Sequence, residues 1–292
     1  MDIAAIAGAA ATNTGLLRRN ALFTGSRQVD LVGRLHLDMA FQERLIPSDV
    51  GIRLKLQRSK DAFCLVAAGA NPAFKLHITE CTLLVRKVRV SPSVYLAHAK
   101  QLESENAKYP ITRIVCKTFT VGAGNLNFIQ ESLFTGQLPV RMLVGMVDND
   151  AFNGTYTKNP YNFKHFDLAQ IKVFLDGTQQ HIKPIETNFG ADSPRYIQAY
   201  LSLFDGTGKF GKDEGIDITR LDYPRGYTLF AFDLTPDQSD RGHLNLQREG
   251  TVRLEARFNT ALPNTINCLV YAEFENFVYL DRHRNVIYDY NN

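Results

Sequence analysis

Tryptophan is absent from the 292 residues, and cysteine and methionine occur four times each. Without tryptophan the chain lacks the broadest aromatic surface for a ligand-binding face, which counts against a carbohydrate- or receptor-binding β-sandwich. Four cysteines cannot staple a chain of this length, and Cys64, Cys81, Cys116 and Cys268 never approach CxxC spacing. Each lies in an apolar, strand-like run, so reduced, buried thiols in an intracellular compartment are expected.

A dominant charge is missing too. Lysine and arginine number 33 against 30 acids, an excess of three spread along the chain. No zinc finger, RNP signature or basic helix is present, so specific nucleic-acid binding is not expected. The densest basic patches, Arg86-Lys87-Val88-Arg89 and Arg282-His283-Arg284, read as solvated strand faces. No apolar run reaches the roughly 18 residues of a membrane-spanning helix, so no membrane span is expected. Residues 2–11 imitate the apolar part of a signal peptide but begin with Asp2 and lack a basic leader. They read as part of a poorly ordered tail over 1–29, not as a secretion signal.

What is abundant is alternation. From Leu31 to Phe41 the odd positions are mostly apolar while Arg34, His36 and Asp38 face the other way. Val50, Ile52, Leu54 and Leu56 repeat the pattern, as do Val252, Leu254, Ala256 and Phe258. Phe74, Leu76 and Ile78 lose phase at Glu80 and resume at Cys81, which suggests a bulge or corner. Segments apolar on both faces, 140–147, 171–175, 227–234 and 266–271, suit central strands. Turns are expected at Ala70-Asn-Pro72, Phe152-Asn-Gly154, Lys158-Asn-Pro160, Leu175-Asp-Gly177 and Tyr223-Pro-Arg-Gly226. One helix is expected near 92–106, with Ser91 as N-cap and Pro92 in its first turn. Many short strands and almost no helix give an all-β sandwich or barrel.

The motifs with chemical promise fail on inspection. Gly206 to Lys212 has the GxxxxGK frame of a phosphate loop, but Asp213 stands where Ser or Thr must ligate magnesium, so a surface loop is expected. Asp148, Asp150 and Asn153 before Gly154 lack the spacing and the bidentate acid of a calcium loop. Seven histidines, at 36, 77, 98, 165, 181, 243 and 283, form neither HExxH nor HxH. No nucleophile elbow occurs. The chain reads as a non-enzyme without cofactor, metal or catalytic residues. A cupin-like metal oxygenase, the enzymatic alternative, requires two or three histidines and a carboxylate at close quarters.

A series of ordered matches then carries a resemblance over nearly the whole span from residue 13. They are Asn13-x-Gly-Leu, Asp30-Leu-Val-Gly-Arg-Leu-His-Leu-Asp38, Arg58-Ser-Lys-Asp-Ala-Phe-Cys-Leu65, Ala107-Lys-Tyr-Pro110 and Gly136-Gln-Leu-Pro139. Further on come Val147-Asp-Asn-Asp-Ala-Phe-Asn-Gly154, Asn159-Pro-Tyr-Asn-Phe-Lys-His-Phe166, Gly226-Tyr-Thr-Leu-Phe-Ala-Phe-Asp-Leu-Thr-Pro236 and Arg284-Asn-Val-Ile-Tyr-Asp-Tyr290. In these the chain resembles the hexon-like major capsid proteins of Maverick/Polinton-type elements and adintoviruses, including uncharacterised relatives in animal genomes. More distantly it resembles major capsid proteins of large DNA viruses.

The resemblance implies a double jelly roll, two antiparallel sandwiches side by side, that trimerises into capsomers of an icosahedral shell. The partners it implies are the chain itself as a homotrimer, neighbouring capsomers, and a penton or minor capsid protein. The implied location is the virion, with synthesis in the cytoplasm or nucleus of the host cell. Such relatives carry opening strands of the first roll where this sequence has Met1 to Ala11. Residues 30–90 are therefore expected as closing strands of an incomplete first roll, 91–106 as a helical connector, and 107–292 as the second roll. Strands at 31–41 and 50–57 would then lack ladder partners, so the chain alone is expected to be a poor capsomer. A penton-like single jelly roll is the nearer alternative; it would place 30–90 within the same roll.

Overall fold

The computed structural model describes residues 14–67, 73–180, 183–236 and 244–290. Ten strands occur among them: β1 Ala107–Val121, β2 Asn127–Gln137, β3 Arg141–Asp148, β4 Leu168–Leu175, β5 Thr178–Gln179, β6 Ile185–Glu186, β7 Leu229–Asp233, β8 Glu249–Phe258, β9 Ile266–Leu280 and β10 Val286–Tyr288. The α-helices are α1 Thr14–Leu22, α2 Asp61–Cys64, α3 Pro92–Ser104, α4 Asn149–Asn153 and α5 Ile197–Asp205. The fold class is all-β: two antiparallel sheets with few helices.

The pairing is nested. One sheet runs β1-β9-β3-β7 and the other β2-β8-β4-β5, with β10 beside β9 and β6 beside β4. Hence β1 pairs with β9, β2 with β8, β3 with β7, and β4 with β5 and β6. That is one long antiparallel hairpin. It rolls up because β3 also pairs with β9 and β4 with β8, and a rolled hairpin of two sheets is a jelly roll. The turn between β4 and β5 is the Asp176-Gly177 pair, whose φ values of 50° and 79° suit a two-residue hairpin.

Two compact units emerge. The larger holds Ile114–Phe274 with Ser59–Phe74 and the chain up to Gly33; the smaller holds Arg34–Arg58, Lys75–Arg113 and Glu275–Asn292. In the larger unit thirty buried side chains form one core, from Leu133, Leu168 and Leu254 of one sheet to Met142, Phe230 and Val270 of the other. Burial alternates along β9, as the period of two in a strand requires. The helix α5 lies on β7 through Ala199 and Leu203, and the Ser202 hydroxyl accepts the Ala231 N–H at 3.3 Å.

Gly145, mid-strand in β3, fixes a close approach. A Cβ there would stand 2.7 Å from Leu229 Cδ2 and 2.7 Å from Phe163 Cδ1. Gly145→Ala is therefore expected to cost about 1–3 kcal/mol, because the Phe163 ring must shift in a packed interior. Urea titration of the purified variant measures it, and an unchanged midpoint would show that the ring yields freely.

In the smaller unit only Tyr109, Ile111, Val278 and Leu280 form a buried cluster, with Met39, Val50, Ala107 and Tyr290 half-buried against it. Polar ties hold it. The Tyr109 hydroxyl donates to the Leu45 carbonyl at 3.1 Å, and the Arg44 guanidinium donates to the Lys108 carbonyl at 2.5 Å. Arg113 donates from Nε to the buried Asn276 at 3.0 Å and lies 4.7 Å over the Tyr290 ring.

Several expectations hold. The segments at 140–147, 171–175, 227–234, 252–258 and 266–271 lie in or largely in β3, β4, β7, β8 and β9, and the helix near 92–106 is α3. Others need correction. The alternating segments 31–41, 50–57 and 74–85 join no strand among the described residues; alternation fits a residue to a ladder but does not supply the partner strand. Helix α5 is not among the expectations: its nine residues read first as an apolar run, although Gln198, Ser202 and Asp205 recur at the i, i+4 and i+7 spacing of one helical face. The turn expected at 70–72 and the start of the 1–29 tail lie outside the described residues, whereas 14–22 is helical.

Candidate interaction surface

The molecule's unburied apolar side chains concentrate where alternation found no ladder. Leu31 and Val32 are 82% and 97% exposed; in the smaller unit Ile52 and Leu84 are 73% and 85% exposed. Leu56, Ile78, Leu83, Val85 and Val88 are exposed as well. Single exposed leucines are ordinary, but exposed apolar residues as dense as those along 52–56 and along 78–88, each segment by itself, are ones that another strand can cover. Their charge is one-sided. Residues 51–60 carry Arg53, Lys55, Arg58 and Lys60 with no acid, and 75–90 carry Lys75, Arg86, Lys87 and Arg89 against Glu80 alone. Lysine and arginine on such edges disfavour indiscriminate strand pairing and favour a facing surface that carries acidic residues.

The matched motifs of the larger unit converge. The α2 turn packs against α4: a Cβ on Gly154, whose φ is 95°, would stand 3.0 Å from the Phe63 nitrogen. The Ala67 N–H donates to the Tyr156 carbonyl at 2.8 Å, and the Phe63 and Tyr161 rings meet edge to face at 5.9 Å. Phe163 bridges the backbone of Gly226, donating to its carbonyl at 3.0 Å. Beyond it runs a row of rings: His165 on Phe189 at 4.2 Å, Phe189 on Tyr196 at 5.4 Å and Tyr196 on Tyr223 at 6.0 Å. Burial holds the His165 imidazole below its ordinary pKa, against the pull of Asp167. The row is packing that stiffens one end of the roll.

Each chemical lure has a structural explanation. In the Gly206–Lys212 segment the N–H groups of Gly208 and Lys209 are spent on the Asp205 and Phe204 carbonyls, and Lys209 Nζ donates to the Gly215 carbonyl at 3.0 Å. The segment closes the end of α5 rather than cradling phosphate. Asp148 is buried, with Lys164 at 2.5 Å and Lys158 at 3.7 Å, while Asp150 meets Lys158 at 3.3 Å. Two lysines thus take the place a cation would occupy. No group of three histidine, cysteine or acidic side chains able to hold a metal occurs among the described residues, and His181 and His243 lie outside them. The cysteine expectation is corrected: Cys268 is buried, but Cys64, Cys81 and Cys116 are exposed. Strand-like sequence around Cys64 and Cys81 did not become sheet, so nothing covers them. Arg282-His283-Arg284 is not a strand face either; it forms the turn between β9 and β10.

These observations define an all-β protein with one rolled sandwich, no assembled reactive centre among its described residues, and exposed apolar and basic residues along segments that join no strand. No family model matches the chain. It is 26% identical over 284 residues to an uncharacterised protein of Caenorhabditis elegans, covering 95% of this chain and 66% of that one. The chain thus spans just under two thirds of that relative. Among solved structures it is similar to the PBCV-1 virus capsid in its quasi-atomic model, at 10% identity and TM-score 0.40, over 68% of this chain and 55% of that one. It is also similar to the Sputnik virophage structure, at 11% identity and TM-score 0.41, over 63% and 39%. The mavirus major capsid protein aligns at 10% identity and TM-score 0.37, over 63% and 41%.

Proposed function

We propose that the chain is a structural subunit of a viral capsid, of the hexon-like kind, that works by packing against copies of itself. The observation that carries the reading is the combination of a rolled sandwich with a second region whose alternating apolar residues are mostly left exposed, Met39 and Val50 being among the half-buried exceptions. In this reading residues 30–90 are strands of another roll that form ladders on assembly, and 107–292 are the self-sufficient roll. Threefold association then builds the capsomer, and neighbouring capsomers and a vertex protein complete the shell in the virion. The grouping of 34–58 and 75–113 apart from 114–274 supports two rolls over a single penton-like one, although 59–74 groups with 114–274 and 275–292 with the smaller unit. No helix of the described residues is long and apolar enough to cross a membrane.

Sedimentation velocity over a range of concentrations tests the reading. Concentration-dependent self-association is the expected result, and a monomer at every concentration would overturn it. A single stable trimer would keep the shell role but overturn the claim that 30–90 lacks its partners. The double substitution Leu83→Lys with Val85→Lys is expected to weaken association about tenfold or more, since it charges the centre of the apolar series. It is expected to change folding stability by no more than about 0.5 kcal/mol, because both side chains are already exposed.

A further inference from the structure

The turn between β9 and β10 forms one wall of a cleft of about 480 Å³, whose other wall is α3. From the turn come Arg282, His283 and Arg284, and from the helix Ala99, Leu102 and Glu103. All six belong to the smaller unit. The volume lies within the usual range for small-molecule sites, and the lining combines an apolar floor with a few charged groups.

The turn is built to present its cations. Asp281 accepts the N–H groups of His283 and Asn285 through Oδ1, both at 2.8 Å, and the Asn285 side-chain amide through Oδ2 at 2.9 Å. Those bonds hold the Asp281 carboxyl below the usual carboxylate range, the Asn285 side chain contributing most. With its oxygens committed to the turn, that carboxylate does not serve the adjacent guanidiniums. Arg282 Nε donates to Nε2 of His283 at 3.0 Å, which aligns the two side chains. Arg284 takes a left-handed backbone, φ 66°, uncommon for a residue other than glycine. Its Nη1 is buried and has no hydrogen-bond partner among the described residues. A buried guanidinium nitrogen without an acceptor is costly, so the Arg284 side chain gains by turning toward an anion that enters the cleft.

We propose that this cleft binds a phosphate-bearing ligand, gripped by Arg284 and Arg282 and resting on Ala99 and Leu102. Glu103 opposes any anion in the cleft and so limits the affinity. A phosphate is favoured over a carboxylate by the donors instead, because it brings more charge and three strong acceptor oxygens to the clustered guanidiniums. The source is either a free phosphate compound or the backbone of a nucleic acid, and both present the same group.

Calorimetric titration with sodium pyrophosphate at fixed ionic strength is the test, alongside fluorescence polarisation with a labelled single-stranded oligonucleotide. Pyrophosphate is expected to bind the wild-type chain, and Arg282→Gln and Arg284→Gln each to weaken it about tenfold or more, the usual scale of a charge-assisted contact. Glu103→Gln is expected to tighten it severalfold. Because Arg282 and Glu103 are exposed, those variants keep the test decisive even if Arg284→Gln does not fold. Absence of pyrophosphate binding to the wild type, or equal binding by the Arg282 and Glu103 variants, overturns the proposal. An oligonucleotide that binds and is displaced by pyrophosphate assigns the site to nucleic-acid backbone; pyrophosphate binding alone assigns it to a free phosphate compound.

Discussion

Phe230→Ala is expected to destabilise the roll by about 3–5 kcal/mol, read as a lower denaturant midpoint at unchanged slope. The ring is fully buried on β7, opposite Val144 of β3, and belongs to the large core cluster. Helix α5 closes over the same strand: a Cβ on Gly206 at the helix end would stand 2.5 Å from the Ala231 Cβ. Backbone held that closely cannot collapse into the space the ring leaves, so the cavity persists and the cost falls at the high end of the range. Leu84→Ala, removing a side chain that is 85% exposed, is expected to change stability by no more than about 0.5 kcal/mol. Two apolar deletions would then differ severalfold, more by location than by the size of the group removed. A loss below about 1 kcal/mol for Phe230→Ala would mean that β7 and α5 are not packed together as described.

That contrast shows which parts of the fold were legible in sequence. Strands β3, β4, β8 and β9 could be read because their patterns coincide with burial, and Gly226 and Gly177 marked turns whose φ is positive, at 111° and 79°. The segments at 31–41 and 50–57 carry an equally good period of two, yet form no ladder. A single strand's pattern records the environment it suits, whereas a ladder depends on a second strand, which the pattern does not identify. Helix α5 is the converse case: Gln198, Ser202 and Asp205 have helical spacing, but nine residues are too few for that spacing to separate a helix from an apolar strand, and packing on β7 supplies the order. The cleft at Arg282–Arg284 was also illegible. Its basic triplet reads as a strand face until Asp281 and Asn285 are seen to bend it into a turn.

The energetics follow the same division. Thirty buried side chains hold the larger unit, enough for a roll that stands on its own, while four hold the smaller. A core of that size rarely supplies more than a few kcal/mol against the entropy of ordering the segments around it. Burial of Ile52, Leu56, Leu83 and Val85 in an assembly, at about 25 cal/mol per Å² of apolar surface, is the largest stabilisation still open to that unit. Assembly and folding of the smaller unit are thus expected to be linked: whatever binds the ordered form shifts its folding equilibrium.

Alkaline unfolding is expected to begin near pH 9 and to steepen above pH 10, with Cys268 and Tyr223 as the groups responsible. Cys268 is buried in β9, level with Met146 of β3, and burial pushes its thiol up from 9.0 to about 12. Tyr223 is fully buried, donates its hydroxyl to the Leu229 carbonyl at 2.8 Å, and is held well above the ordinary phenol value of 10.0 by the same cause. Below pH 9 both groups are neutral in the folded and unfolded chains, and neither makes stability depend on pH. Between 9.0 and about 12 the unfolded chain loses the thiol proton that the folded chain keeps. Stability therefore falls by about 1.4 kcal/mol per pH unit, on the order of 4 kcal/mol over the interval. From pH 10 Tyr223 adds a second slope of the same sign and size. Urea titrations at half-unit steps from pH 8 to 11.5 measure this directly. Cys268→Ala is expected to remove most of the fall between pH 9 and pH 10, leaving the share of Cys116, whose thiol partial burial also raises. Tyr223→Phe is expected to cost about 1 kcal/mol at neutral pH, for the lost hydrogen bond, and to remove the steeper upper limb. A slope between pH 9 and pH 10 as steep in Cys268→Ala as in the wild type would place the titrating group elsewhere and show that the Cys268 thiol is not sealed between the sheets.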